Sequence, residues 1–160
     1  MSAAQRILIL TGILLLGSTM AFGVYYALFD EHQTLVGMGV SMATGFAEAA
    51  KGDMVAAHAS LDAYAAISAE YRSEVHAHGH WGMLSLVLIV LGISFKRLAW
   101  SEQQGLRLAW VLALSAALFP LGVLLQIGPA ADIGKLLTVP ASLGMVLGLL
   151  AVVWGLVRKA

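Results

Sequence analysis

The chain reads as an all-α integral membrane protein, a bundle of four transmembrane helices with an extramembrane helical hairpin between the first and second. Three observations predict it. Hydrophobic residues make up 60% of the sequence and charged residues 11%, whereas soluble domains carry about 25% charge. Mean hydropathy is +0.87, and so little polar surface cannot cover a core unless lipid supplies part of the solvent. Four apolar stretches approach the ~20 residues that cross ~30 Å of hydrocarbon, and an acidic segment, 30–75, separates the first two. At 160 residues the whole makes a single membrane domain.

The first span is 7–29, which carries no charge and follows Arg6. A cleaved signal peptide is the rival reading, because Ser18-Thr19-Met20-Ala21 offers small residues near a cleavage point. The apolar run outlasts the ~7–15 residues of such a peptide's core and continues through Tyr25, Tyr26 and Phe29, so a retained span is expected. Segment 30–75 is different material. Its acids are Asp30, Glu31, Glu48, Asp53, Asp62, Glu70 and Glu74, against the bases Lys51 and Arg72, and it contains no proline. Gly52-Asp53 divides it, with Asp53 placed to cap the second half. Beyond Met54, Val55, Leu61, Tyr64, Ala65 and Ile67 fall roughly on one helical face. In the first half Leu35, Val36 and Met38 mix with Gly37, Gly39 and Gly45. A helical hairpin outside or along the membrane is expected.

The second span is 77–95. Its unbroken apolar part, Trp81 to Phe95, is short, and Lys96-Arg97 fixes its far end. A full crossing therefore draws the histidines before Trp81 to the membrane boundary. The third span, 106–127, contains Pro120; the fourth, 136–157, contains Pro140 and is closed by Arg158-Lys159. Arg6, Lys96, Arg97, Arg107, Arg158 and Lys159 fall on one side of this arrangement, and the acidic hairpin on the other. By the positive-inside rule both termini are cytoplasmic and the hairpin faces out, in a bacterial inner membrane. Tyr25, Tyr26, Trp81 and Trp154 suit interfacial belts, and Gln126, Asp132 and Lys135 a hydrated loop.

Several classes fall away. A formal net charge of zero gives no reason to expect nucleic acid. The absence of cysteine removes disulfides, iron–sulfur clusters, thiolate-bound metal and c-type haem. The sequence has no phosphate-binding glycine loop, GxSxG, HExxH or dinucleotide fingerprint, which leaves a redox subunit as the enzymatic option.

Chemistry concentrates in Glu74-Val75-His76-Ala77-His78-Gly79-His80, which holds three of the five histidines. As a helix, the segment puts His76 and His80 on one face and turns His78 nearly opposite. Extended, it points all three the same way. Imidazole suits Cu and Zn, so His76, His78, His80 and His32 are candidate metal ligands. Glu31 and Glu74 could complete or orient the sphere. Haem b is the other cofactor these residues could hold, with His80 as axial ligand and His32 or His76 opposite. His58, in mid-hairpin, reads as surface.

His76-Ala77-His78, leading into a glycine-containing membrane helix, resembles the HxH that opens a haem-ligating helix in the catalytic subunits of haem–copper oxidases. The resemblance covers only these few residues and implies axial histidine ligation. Those subunits have many more helices and further ligands in separate spans, so no oxygen chemistry is assigned.

The expected function is binding of haem b or a transition metal (Cu or Zn) for electron transfer or metal handling within a larger membrane complex. The alternative is a non-catalytic accessory subunit whose outward hairpin docks a partner and whose histidines are structural. Gly144 and Gly148 form a GxxxG pattern that permits close helix approach, either within the bundle or in a homo-oligomer.

Overall fold

The computed structural model describes residues 1–126 and 128–158. The ends of two expected features, Ile127 and Lys159, lie outside the described residues. Five long helices follow one another: α1 (Ala3–Phe29), α2 (Glu31–Ala50), α3 (Met54–Ser94), α4 (Glu102–Leu125) and α5 (Ala131–Val157). Single 3₁₀ turns, Phe95–Arg97 and Gly128–Ala130, join α3 to α4 and α4 to α5. Among the described residues there is no strand. Four of the helices, α1, α3, α4 and α5, are long and apolar enough to cross a membrane.

Local sequence accounts for the ends. Ser2 and Gln5 cap α1 reciprocally, and Ser101 and Gln104 do the same for α4, each side chain bonding the other's backbone N–H. Gly52 takes a φ of 80° in the turn after α2, a left-handed conformation that glycine adopts without steric penalty. Asp53 Oδ1 then accepts the Ala56 N–H at 3.0 Å, which is the cap expected there. The junction between the hairpin and the second span is not a break. Helix α3 runs through it for 41 residues, about 60 Å at 1.5 Å per residue.

The chain forms two compact units, one of residues 1–20 and 76–160, the other of residues 21–75. In the first, Leu8 of α1, Leu84 and Leu88 of α3, Ala109, Leu112 and Ala116 of α4, and Met145 and Val152 of α5 form one buried cluster. Small residues let the helices come close. Gly12 faces Ser85 and Ile89, while Gly92 faces Leu8 and Ile9. Gln5 Nε2 crosses the same seam to donate to the Gly92 carbonyl at 3.1 Å. Along α4 and α5, Gly122 opposes Thr138, Gly144 opposes Ser115 and Gly148 opposes Leu112. Gly144 and Gly148 are thus occupied within the chain, because the direction a side chain would take from each leads into α4. Large apolar side chains such as Leu14, Leu136 and Leu147 point outward, as an apolar solvent allows and water does not.

In the second unit α2 and the N-terminal part of α3 run antiparallel. Gly45 lies against Ala57 and Ser60, and Gly37 against Ile67. The end of α1 joins them through Tyr26, whose ring centre is 6.4 Å from that of Tyr71.

Candidate functional site

Residues 76–80 are helical, which decides between the two geometries the alternating histidines allowed. His76 and His80 share a face of α3, with ring centres 6.3 Å apart and planes at 82°. His78, two positions on, is turned about 200° away from His76 at 100° per residue. His76 is exposed; His78 and His80 are half-buried. The register follows from the apolar positions further along, since Ala77, Leu84 and Leu88 are buried and fix which side of α3 meets the bundle.

His80 meets a neighbouring helix. Its ring meets Phe119 of α4 edge-on, centres 5.0 Å apart. One residue along, Trp81 Nε1 donates to the Ala117 carbonyl at 3.4 Å. Ser85 Oγ donates to the Trp81 and Gly82 carbonyls at 2.8 Å. A cleft of about 170 Å³ opens beside His80, lined also by Leu84, Phe119, Ser142, Met145 and Val146. Phe119 and Met145 were not singled out from sequence. They lie some 40 and 65 residues away in chain order, and no local pattern links them to a histidine.

The pair has the spacing to chelate but not yet the closure. A Zn–N bond of about 2.0–2.1 Å plus roughly another ångström to the ring centre puts two tetrahedrally placed imidazoles about 5 Å apart. The observed 6.3 Å is wider. Closing the gap takes a change in χ1 as well as χ2, because turning a ring about its own Cβ–Cγ axis leaves its centre nearly fixed.

The remaining expected ligands belong to the other unit. His32 is exposed in the first turn of α2, Glu31 beside it is half-buried, and so is Glu74. Glu74 Oε2 and the Tyr26 hydroxyl are enclosed and have no hydrogen-bond partner among the described residues. Asp30 and Glu70 lie within electrostatic reach of Glu74, and Glu74, Tyr71, Asp30 and Glu31 within reach of Tyr26. This gathering of acids and tyrosines was only half visible in the sequence. Glu70 and Glu74 are one turn apart, but nothing marked Tyr26 or Tyr71 as their neighbours. Among the described residues, no three or more His, Cys, Asp or Glu side chains are grouped to hold a metal ion. His58 is exposed, as read from sequence. The Lys135–Asp132 pair, at 3.4 Å, is exposed too, but it lies at the start of α5 and not in the loop expected there.

No protein-family model, curated protein or solved structure matches the chain.

Proposed function

We propose that the protein is an integral membrane protein with four spanning helices that binds a transition-metal ion, Cu or Zn, through His76 and His80. It would act in electron transfer or metal handling as part of a larger membrane assembly. The observation that carries this reading is the i,i+4 pair itself, two imidazoles on one helical face 6.3 Å apart, just before the apolar stretch that begins at Trp81. Two imidazoles leave two positions of a tetrahedral ion open. Water or a partner subunit would fill them. Haem b ranks second. The cleft at His80 measures about 170 Å³, below the ~300–1,000 Å³ of pockets that hold drug-sized ligands and cofactors. A haem would need a slot completed by another polypeptide.

The length of α3 supports an extramembrane hairpin. About 60 Å of helix is twice the ~30 Å hydrocarbon core, so its polar half, with Asp62, Glu70 and Arg72, belongs outside. The bases Arg6, Lys96, Arg97, Arg107 and Arg158 support a cytoplasmic location for the opposite side, in keeping with a bacterial inner membrane.

The accessory-subunit reading is favoured by one observation, that no group of three ligating side chains occurs among the described residues. One experiment separates the two. The detergent-purified protein is titrated with Cu and Zn, its visible spectrum is recorded after expression with added haem, and bound metal is measured. Stoichiometric metal that is lost in both His76→Ala and His80→Ala supports the proposal. A Soret band supports the haem reading instead, and a protein that takes up neither is an accessory subunit.

A further inference from the structure

The cleft beside His80 holds a donor of a different kind from the imidazoles. Met145 of α5 lines it together with His80, and both belong to the first unit. We propose that the site takes Cu(I), with the Met145 thioether as the third donor after the imidazoles of His76 and His80. The inference rests on the metal reading above; it names the ion and adds one ligand.

The packing of α5 places the sulfur. Ala141, Met145, Gly148 and Val152 are buried at spacings of four, three and four residues, the stripe by which the helix meets the core. Alanine, glycine and valine side chains carry no donor atom, and Met145 is the one methionine of α5. Its three rotatable bonds and polarizable sulfur let it follow irregular space. His76 is exposed, His80 half-buried and Met145 only 7% exposed. The three donors therefore step inward from the surface, which leaves an ion a way in.

The lining selects the ion. Besides His80 and Met145 the cleft is made by Leu84, Phe119, Ser142 and Val146, with no carboxylate to offset charge. The Phe119 ring, centred 5.0 Å from that of His80, keeps water from one side of the imidazole and the polarity low. Desolvation cost rises with the square of the charge, so Zn(II) or Cu(II) incurs about four times the cost of Cu(I). Zinc also favours four donors drawn from imidazole, thiolate and carboxylate. Among the described residues no three His, Cys, Asp or Glu side chains are grouped to supply them. Cu(I) is soft and singly charged, and it accepts two or three neutral donors, thioether included. Two imidazoles and a thioether meet that need and not zinc's.

The test is titration of the full chain in detergent, with Cu(I) under anaerobic reducing conditions against bicinchoninate and separately with Zn(II), joined to copper X-ray absorption. Tighter binding of Cu(I) than of Zn(II) is expected, with sulfur as well as nitrogen around the copper. Because the chain has no cysteine, that sulfur can only be methionine. Met145→Leu keeps volume and apolarity. It should remove the sulfur and weaken Cu(I) by about tenfold or more, with Zn(II) binding unchanged. Met83→Leu, three residues beyond His80 and 56% exposed, should alter neither. Met145→Ile serves where Met145→Leu does not fold. A copper shell without sulfur in the unaltered protein overturns the inference, as does sulfur retained in the Met145 variant. Zn(II) bound as tightly as Cu(I) overturns it too. Each of these outcomes leaves metal binding at His76 and His80 standing, whereas a chain that binds neither ion overturns both readings.

Discussion

Replacing Gly12 by Ala tests the seam between α1 and α3, on which the first unit is built. A Cβ added at Gly12 would lie 2.8 Å from the Ser85 carbonyl oxygen and 3.2 Å from the Ile89 nitrogen. Both are backbone atoms of α3 and neither can turn aside. Ordinary contact begins near 3.4 Å, so the helices must part by about 0.6 Å. A gap of 0.5–1 Å forfeits roughly a quarter to a half of each dispersion well across the seam, where Leu8 and Leu88 are fully buried. The Gln5 Nε2 to Gly92 carbonyl bond, now 3.1 Å, would stretch beyond hydrogen-bonding distance, and interhelical bonds in membranes contribute about 0.6 kcal/mol on average. Overpacking of this kind costs about 1–3 kcal/mol. Alanine returns at most about 1 kcal/mol in helix propensity. The expected net loss is about 1–2 kcal/mol.

Gly17, five residues on in the same helix, provides the control. It is exposed, and a Cβ there meets nothing within 4 Å. Gly17→Ala should therefore be neutral or stabilising by up to about 1 kcal/mol, through propensity alone. The assay is thermal unfolding in detergent followed by helical circular dichroism, with the two variants beside the unaltered protein. Opposite signs support the seam. Equal stability of Gly12→Ala and the unaltered protein, or equal losses in both variants, would show that α1 does not pack on α3 through Gly12.

Other outcomes follow from particular residues. Each of His76→Ala and His80→Ala should remove bound Cu or Zn, while His58→Ala, at an exposed position in mid-hairpin, should leave it intact; elemental analysis of purified protein decides, and full occupancy in either cluster variant moves the site elsewhere. Asp53→Ala removes the acceptor of the Ala56 N–H and should cost about 1 kcal/mol, read as faster amide hydrogen exchange in the first turn of α3. Gly148→Val forces a side chain toward Leu112, whose Cδ2 lies 2.6 Å from where a Cβ would be. It should lower stability by about 1–3 kcal/mol with no change in oligomeric state. A change in oligomer size at unaltered stability would instead put this glycine at a contact between copies.

The helices that could cross a membrane were legible because their apolar residues form long runs with few charges, a signal that survives whatever the packing. Their ends were less so. Helix α5 begins at Ala131, not near Leu136, and α4 at Glu102, ahead of its apolar stretch. The reason is that caps and first turns are polar and carry no hydropathy signal. Ser101 with Gln104 was a readable capping box, and it marks the start of α4 better than the first leucine does. The acidic hairpin was visible as two helices parted at Gly52-Asp53, because glycine at φ 80° and a capping aspartate are local chemistry. Its continuity with the second span was not. The change from acidic to apolar composition near His76 reads like a boundary, yet composition changes do not break a helix when no glycine pair, proline or competing cap interrupts the backbone bonds.

That continuity governs the candidate site. An HxHxH run is ambiguous on paper, since its period of two suits a strand and its outer members suit a helix. With α3 helical on both sides of residue 78, the period of 3.6 prevails, the outer histidines pair and the middle one is turned away. The pairing therefore follows from the helix itself. Leu84 and Leu88, one and two turns beyond His80, are buried in the cluster with α4 and α5 and fix which side of α3 meets the bundle. A substitution such as Leu84→Asn should then loosen metal binding while touching neither imidazole. Its effect should be smaller than that of His80→Ala, because the spacing within the helix survives a loss of registry with its neighbours. A Leu84→Asn protein that keeps its helical content and binds metal as tightly as the unaltered chain would show that the His76–His80 pair needs only its own helix, and that Phe119 and the rest of the bundle are bystanders.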